Sequence, residues 1–256
     1  MLGAIAGDII GSPYEHRQIK TTDFPLFGPG CTVTDDSVLT VATAEALLED
    51  RDFAGHYRSY ARRYPHAGYG GMFIGWAADG EAGPYNSYGN GSAMRVSPVG
   101  WYARSRDEVL ELAAASARVT HNHPEGVKGA HAVALAIWLA REKQSGEDIA
   151  GEITEEFGYD LSLPVADIRK TYGFDVTCQG SVPQALRSAI QASSLEEAVR
   201  LAVSLGGDAD TQACIAGSVA EARFGLTAEI AERAMSYLDD DLRRIVRRFR
   251  KTHIER

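Results

Sequence analysis

Cysteine is scarce in this chain: three residues, Cys31, Cys178 and Cys214, lie far apart and form no CxxC pair. That pattern excludes a disulfide framework and fits reduced thiols in a cytosolic protein. Basic charge is also in deficit, with 26 Lys and Arg against 35 Asp and Glu, a formal net charge of −9. Nucleic acid and anionic lipid are therefore poor expectations as partners, whereas a small molecule, a protein or bound cations fit the balance. Long apolar runs are missing too. The segment "MLGAIAGDII" lacks a basic flank and is interrupted by Asp8, so it reads neither as a signal peptide nor as a membrane span. No stretch sustains the alternation of a half-buried strand. What remains is the expectation of a cytoplasmic, all-α protein whose residues 1–256 form a single domain, since no linker or internal repeat divides them.

Helical periodicity is plentiful. Apolar residues recur at helical spacing over 35–50, 106–119 and 124–143, the last opening on Pro124 as a first helical turn allows. Residues 193–207 carry a Ser194…Glu197 capping box and end on a glycine pair. Further helices are expected over 207–223, 227–238 and 239–251, with Gly225 as a stop. The Gly- and aromatic-rich stretch 64–100 reads as a long ordered loop, of the kind that carries function. In the basic tail, Asp239 and Asp240 precede Arg243 and Arg244 by four residues, which predicts i,i+4 pairs on a solvated surface helix.

Two oxygen-rich clusters stand out. Thr34, Asp35 and Asp36 open one apolar helix, while Asp208, Asp210 and Thr211 open another far away in sequence. Taken alone, each cluster is accounted for by helix capping. Should they converge, four carboxylates would share one pocket and repel one another unless protons or cations were bound. Hard divalent cations suit an all-oxygen ligand set, and a capping residue can still turn its other oxygen to a metal. Histidine and cysteine at zinc-ligand spacing are absent around both clusters.

Five motifs occur in order: "GAIAGDIIGSPYE" (3–15), "TDDS" (34–37), "SYGNGSAMR" (87–95), "THNHPEGVKGA" (120–130) and "GGDADTQACIAG" (206–217). Together they strongly resemble the ADP-ribosylglycohydrolases. The resemblance implies an all-α fold, a pair of Mg²⁺ ions that Mn²⁺ could replace, and hydrolysis of ADP-ribose from a modified protein or a small acceptor. It assigns Thr34, Asp35, Asp36, Asp208, Asp210 and Thr211 to the metals. Glu15 stands where the family has an acidic residue that lies near the scissile bond and gates the site. Ser87, Tyr88, Gly89 and Asn90 match the loop around ADP-ribose, and His121 matches a histidine that contacts it. Ile9-Ile10 departs from the smaller or different apolar residues expected there.

From the residues alone, the Gly-Asn-Gly loop could offer backbone N–H groups to a pyrophosphate or serve merely as a turn. Tyr88 could stack on adenine or simply pack, and His121 could be a helix cap. The base that guides water to C1 of the distal ribose would be Glu15 or a metal-bound aspartate, Asp36 or Asp208. Residues 64–86 are expected to set selectivity for the attached group. The alternative readings are a hydrolase of free ADP-ribosyl or nucleotide-sugar compounds and a non-catalytic ADP-ribose binder.

Overall fold

Residues 1–254 are described by the computed structural model. The helices run in order α1 (Leu2–Gly11), α2 (Asp35–Leu48), α3 (Phe53–Arg63), α4 (Gly71–Ala78), α5 (Gly91–Met94), α6 (Ser97–Tyr102), α7 (Arg106–Arg118) and α8 (Pro124–Arg141). They continue with α9 (Gly146–Phe157), α10 (Val165–Thr171), α11 (Cys178–Gln191), α12 (Leu195–Val203), α13 (Ala209–Phe224), α14 (Ala228–Tyr237) and α15 (Asp240–His253). Among the described residues there is no strand, only one isolated bridge between Gly89 and Thr177. The three cysteines are free thiols. No described helix is long and apolar enough to cross a membrane.

Local chemistry explains most helix starts. Thr34, Asp52, Ser105, Ser145, Thr177, Ser194, Thr227 and Asp239 each accept a first-turn N–H with their side chain. Such a cap stabilises a helix by about 1 kcal/mol. The capping box at Ser194 forms by half: Ser194 Oγ accepts the Glu197 N–H at 3.1 Å, but the Glu197 carboxylate takes Ser193 instead. Gly225, with φ +77°, ends α13 as expected.

α13 is the central post. Every residue from Ala209 to Ala222 is buried, the polar Asp210, Gln212 and Glu221 included. α1 lies against it with glycine at every fourth position. A Cβ at Gly3, Gly7 or Gly11 would sit 2.4, 2.0 or 2.5 Å from the carbonyl oxygens of Gly217, Ala213 and Ala209. Only glycine permits this backbone-to-backbone seam, and the seam fixes Asp8 of α1 beside the start of α13. Ile9 and Ile10 fill the core around it.

Two expectations need correction. The stretch 64–100 is not one loop, since α4, α5 and α6 lie within it. They are short and each contains glycine, which hides their periodicity. The basic tail is docked rather than solvated: Leu242, Ile245, Val246 and Phe249 of α15 are buried. The i,i+4 pairs do not form. Arg243 binds Asp240 at 2.7 Å, Asp239 caps the helix, and Arg248 reaches Glu49 just past the end of α2.

Candidate active site

The N-terminal ends of α2 and α13 meet at the floor of a cleft of about 570 Å³. That volume suits a ligand the size of a dinucleotide. Thr211 Oγ1 donates to Asp36 Oδ2 at 3.2 Å across 175 positions of chain, so the two acidic clusters converge. Helix N-termini carry partial positive charge, which favours carboxylates gathered there.

Capping does not consume these aspartates. Thr34 Oγ1 takes the Asp36 N–H at 3.3 Å and serves as the cap of α2. Asp8, from α1, takes three further donors: its Oδ2 accepts the N–H groups of Thr34 and Ser37, both at 3.1 Å, and its Oδ1 accepts the Thr34 hydroxyl at 2.7 Å. Asp208 occupies the cap position of α13 but makes no side-chain cap bond. Instead its Oδ2 accepts Asn90 Nδ2 at 2.7 Å, which ties the 87–90 loop to the acidic floor. Asp210 accepts the N–H of its neighbour Thr211, at 3.0 Å. Among the described residues, Asp36 Oδ1 is buried with no hydrogen-bond partner.

Two groups of three carboxylates result. Oxygens of Asp8, Asp36 and Asp210 lie within 4.8 Å of one another, as do those of Glu15, Asp208 and Asp210. Asp210 belongs to both. Burial, and then mutual repulsion, pushes these groups up: Asp8 to about 6 chiefly by burial, Asp35 to about 8 by burial with Asp8 and Asp208 adding. Asp36 and Asp210 stand well above the ordinary carboxylate range for the same reasons. Asp208 and Glu15 are raised mainly by burial. Such a cluster has to be neutralised, by protons or by cations. An unpartnered buried carboxylate oxygen in an all-oxygen, thiol-free set fits a hard divalent cation.

The 87–90 loop forms part of the cleft wall, but its N–H groups are partly used. Gly89 N–H donates to Ser87 Oγ at 3.1 Å and Asn90 N–H to Val176 O at 2.8 Å. Ser87, Gly89 and Asn90 line the cleft, whereas Tyr88 does not. Tyr88 is 48% exposed, with its ring 5.2 Å from that of His123. His121 lines the cleft and is buried. The helix cap falls to His123, whose Nδ1 accepts the Glu125 N–H at 3.1 Å. Burial, reinforced by the Arg95 charge, holds His121 well below its usual range and so neutral.

Sequence reasoning passed over Asp8 as a site residue. Its signal was a lone carboxylate inside an apolar helix with glycine at 3, 7 and 11.

Comparison with known proteins bears on the family and the fold. ADP-ribosylhydrolase ARH3 of Homo sapiens is 24% identical over 306 residues, covering 88% of this chain and 84% of the relative. ADP-ribosylarginine hydrolase Tri1 of Pseudomonas putida is 23% identical over 259 residues, covering 89% and 70%. A solved structure described as an ADP-ribosylglycohydrolase-related protein complex is similar at TM-score 0.68 and 26% identity, covering 98% of this chain and 95% of that one. The family model for ADP-ribosylglycohydrolase matches residues 1–255, and on that match the chain belongs to the ADP-ribosylglycohydrolase family.

Proposed function

We propose that this chain is a divalent-cation-dependent hydrolase that releases ADP-ribose from modified protein by cleaving the glycosidic bond at C1 of the distal ribose. The observation that carries the reading is the pair of carboxylate trios sharing Asp210 at the cleft floor. Bound there, two Mg²⁺ ions, or Mn²⁺ in their place, would supply Lewis acidity to the ribose hydroxyls and to water.

Asp36 and Asp210 with the Thr34 and Thr211 hydroxyls would hold one ion, and Asp208 with Asp210 the other, with Asp35 lining the same cleft as a further ligand. Asp8 has three of about four acceptor positions filled, so its chief work is to orient Thr34 and the start of α2. Asn90 holds Asp208 in its rotamer. Glu15 is the group suited to take a proton from water. It lines the cleft, its pKa is raised by burial and then by Asp208, and its recorded partner is His16 at 3.7 Å. In the reaction the water oxygen bonds to C1, the bond from C1 to the acceptor atom breaks, and the water proton passes to Glu15. The leaving group recovers a proton from solvent. Ser87, Gly89, Asn90 and His121 would line the bound nucleotide.

The test is release of ADP-ribose from arginine- and serine-modified proteins, in Mg²⁺ and in EDTA. Cation-dependent release from either supports the proposal and identifies the linkage. Cleavage of free ADP-ribosyl compounds alone would move the substrate to small molecules. Binding without release would make the protein an ADP-ribose reader.

A further inference from the structure

Arg95 is fully buried yet pairs with no carboxylate among the described residues. Its guanidinium lies 4.3 Å from the centre of the Tyr57 ring, and Nη2 donates to Ser116 O at 3.2 Å and to Thr120 Oγ1 at 2.8 Å. Burying an unpaired cation is costly, so this placement calls for a return. Thr120 Oγ1 in turn lies 2.7 Å from His121 Nδ1.

The direction of that last bond can be worked out. Thr120 has one hydroxyl proton and two acceptors within 3.5 Å, His121 Nδ1 at 2.7 Å and Ala117 O at 3.5 Å; the neighbouring Tyr85 hydroxyl carries a proton of its own to donate. Ala117 O already accepts the N–H groups of Thr120 at 3.1 Å and His121 at 2.7 Å, which fills both its lone pairs. The hydroxyl proton therefore goes to Nδ1. Accepting from a cation also makes the hydroxyl a stronger donor. A neutral imidazole that accepts at Nδ1 carries its proton on Nε2. Nε2 faces the glycines of the cleft loop, where a Cβ at Gly91 would come within 3.3 Å of it, and no described residue hydrogen-bonds to it.

We propose that Arg95 and Thr120 form a relay that holds His121 in the Nε2–H tautomer, making its ring a fixed hydrogen-bond donor to an acceptor oxygen of the ligand in the cleft. Arg95 and Thr120 are positioning residues: Arg95 lies fully buried behind the cleft lining and Thr120 outside it, and both act on the ligand through His121. The identity of that ligand rests on the function proposed above; the tautomer does not.

The experiment is nitrogen-detected NMR of histidine-labelled protein near neutral pH, without ligand and then titrated with ADP-ribose in Mg²⁺. Wild type should show His121 Nδ1 in the pyridine-like range and Nε2 in the pyrrole-like range. Thr120→Val should lose that fixed pattern and weaken ADP-ribose binding by roughly three- to tenfold, and Thr120→Ser should restore both. The relay is overturned if wild-type His121 carries its proton on Nδ1, if Thr120→Val leaves spectrum and affinity unchanged, or if Thr120→Ser fails to restore the pattern. Absence of ADP-ribose binding by the wild type would overturn the functional reading of the cleft, while the ligand-free spectrum still decides the relay.

Discussion

Glycine serves opposite ends in α1 and α4. At Gly3, Gly7 and Gly11 an added Cβ would collide with backbone oxygens of α13, whereas at Gly70, Gly71 and Gly75 it would meet nothing within 4 Å. The first set lets two buried helices touch, and that contact sets the spacing between Asp8 and the aspartates of α13. The second set belongs to a cleft wall open to solvent, with Met72, which lines the cleft, 66% and Ile74 52% exposed. The floor of the site is thus fixed by backbone against backbone, while one wall is held by few contacts. Changes at the floor should cost fold and chemistry together; changes at the wall should alter mainly what binds.

The largest effect is expected at the floor. Asp208→Asn should lower ADP-ribose release by more than about a hundredfold while thermal unfolding stays cooperative, because the variant removes a ligand without opening a cavity. Next is the seam. Gly7→Ala should lose about 2–3 kcal/mol in denaturant unfolding and weaken Mg²⁺ binding as α13 shifts. An unchanged midpoint would mean that α1 and α13 are not held by this contact.

pH gives a smaller, graded effect. Asp8 at about 6 and Asp35 at about 8 both lie above the ordinary 3.8 of an unfolded aspartate. Between those values the folded cation-free protein binds more protons than the unfolded chain. The stability these groups contribute is complete below the unfolded value and is lost as pH rises through about 6 and then about 8. Melting temperature in EDTA should therefore fall over that interval, and Mg²⁺ should remove most of the slope. The smallest effect belongs to the wall: Gly75→Ala should be neutral or stabilise by about 0.5–1 kcal/mol, as an alanine does in a helix interior with room for it. Met72→Ala should leave the melting temperature in place while changing KM more than kcat.

The same contrast explains what could be read from the sequence. The two acidic helix starts were legible because Asp35, Asp36, Asp208 and Asp210 are adjacent in the chain to the apolar periodicity they introduce. Asp8 was not, because its partners Thr34 and Ser37 come together with it only in the fold. α11 was hidden by Pro183 in its interior, and α4 by its glycines. In the tail, the apolar strip of Ile245, Val246 and Phe249 was visible, but local charge spacing could not reveal Glu49, at the end of α2, as a partner of Arg248. Assigning the cap to His123 and the cleft to His121 likewise required knowing which way each ring turns.

The central claim is that two cations share Asp210. Calorimetric titration of the cation-free protein with Mg²⁺, beside Asp210→Asn, tests it most directly. The account predicts two ions bound by the wild type and both lost in the variant. Two ions bound unchanged by Asp210→Asn, or a single ion in the wild type, would contradict it.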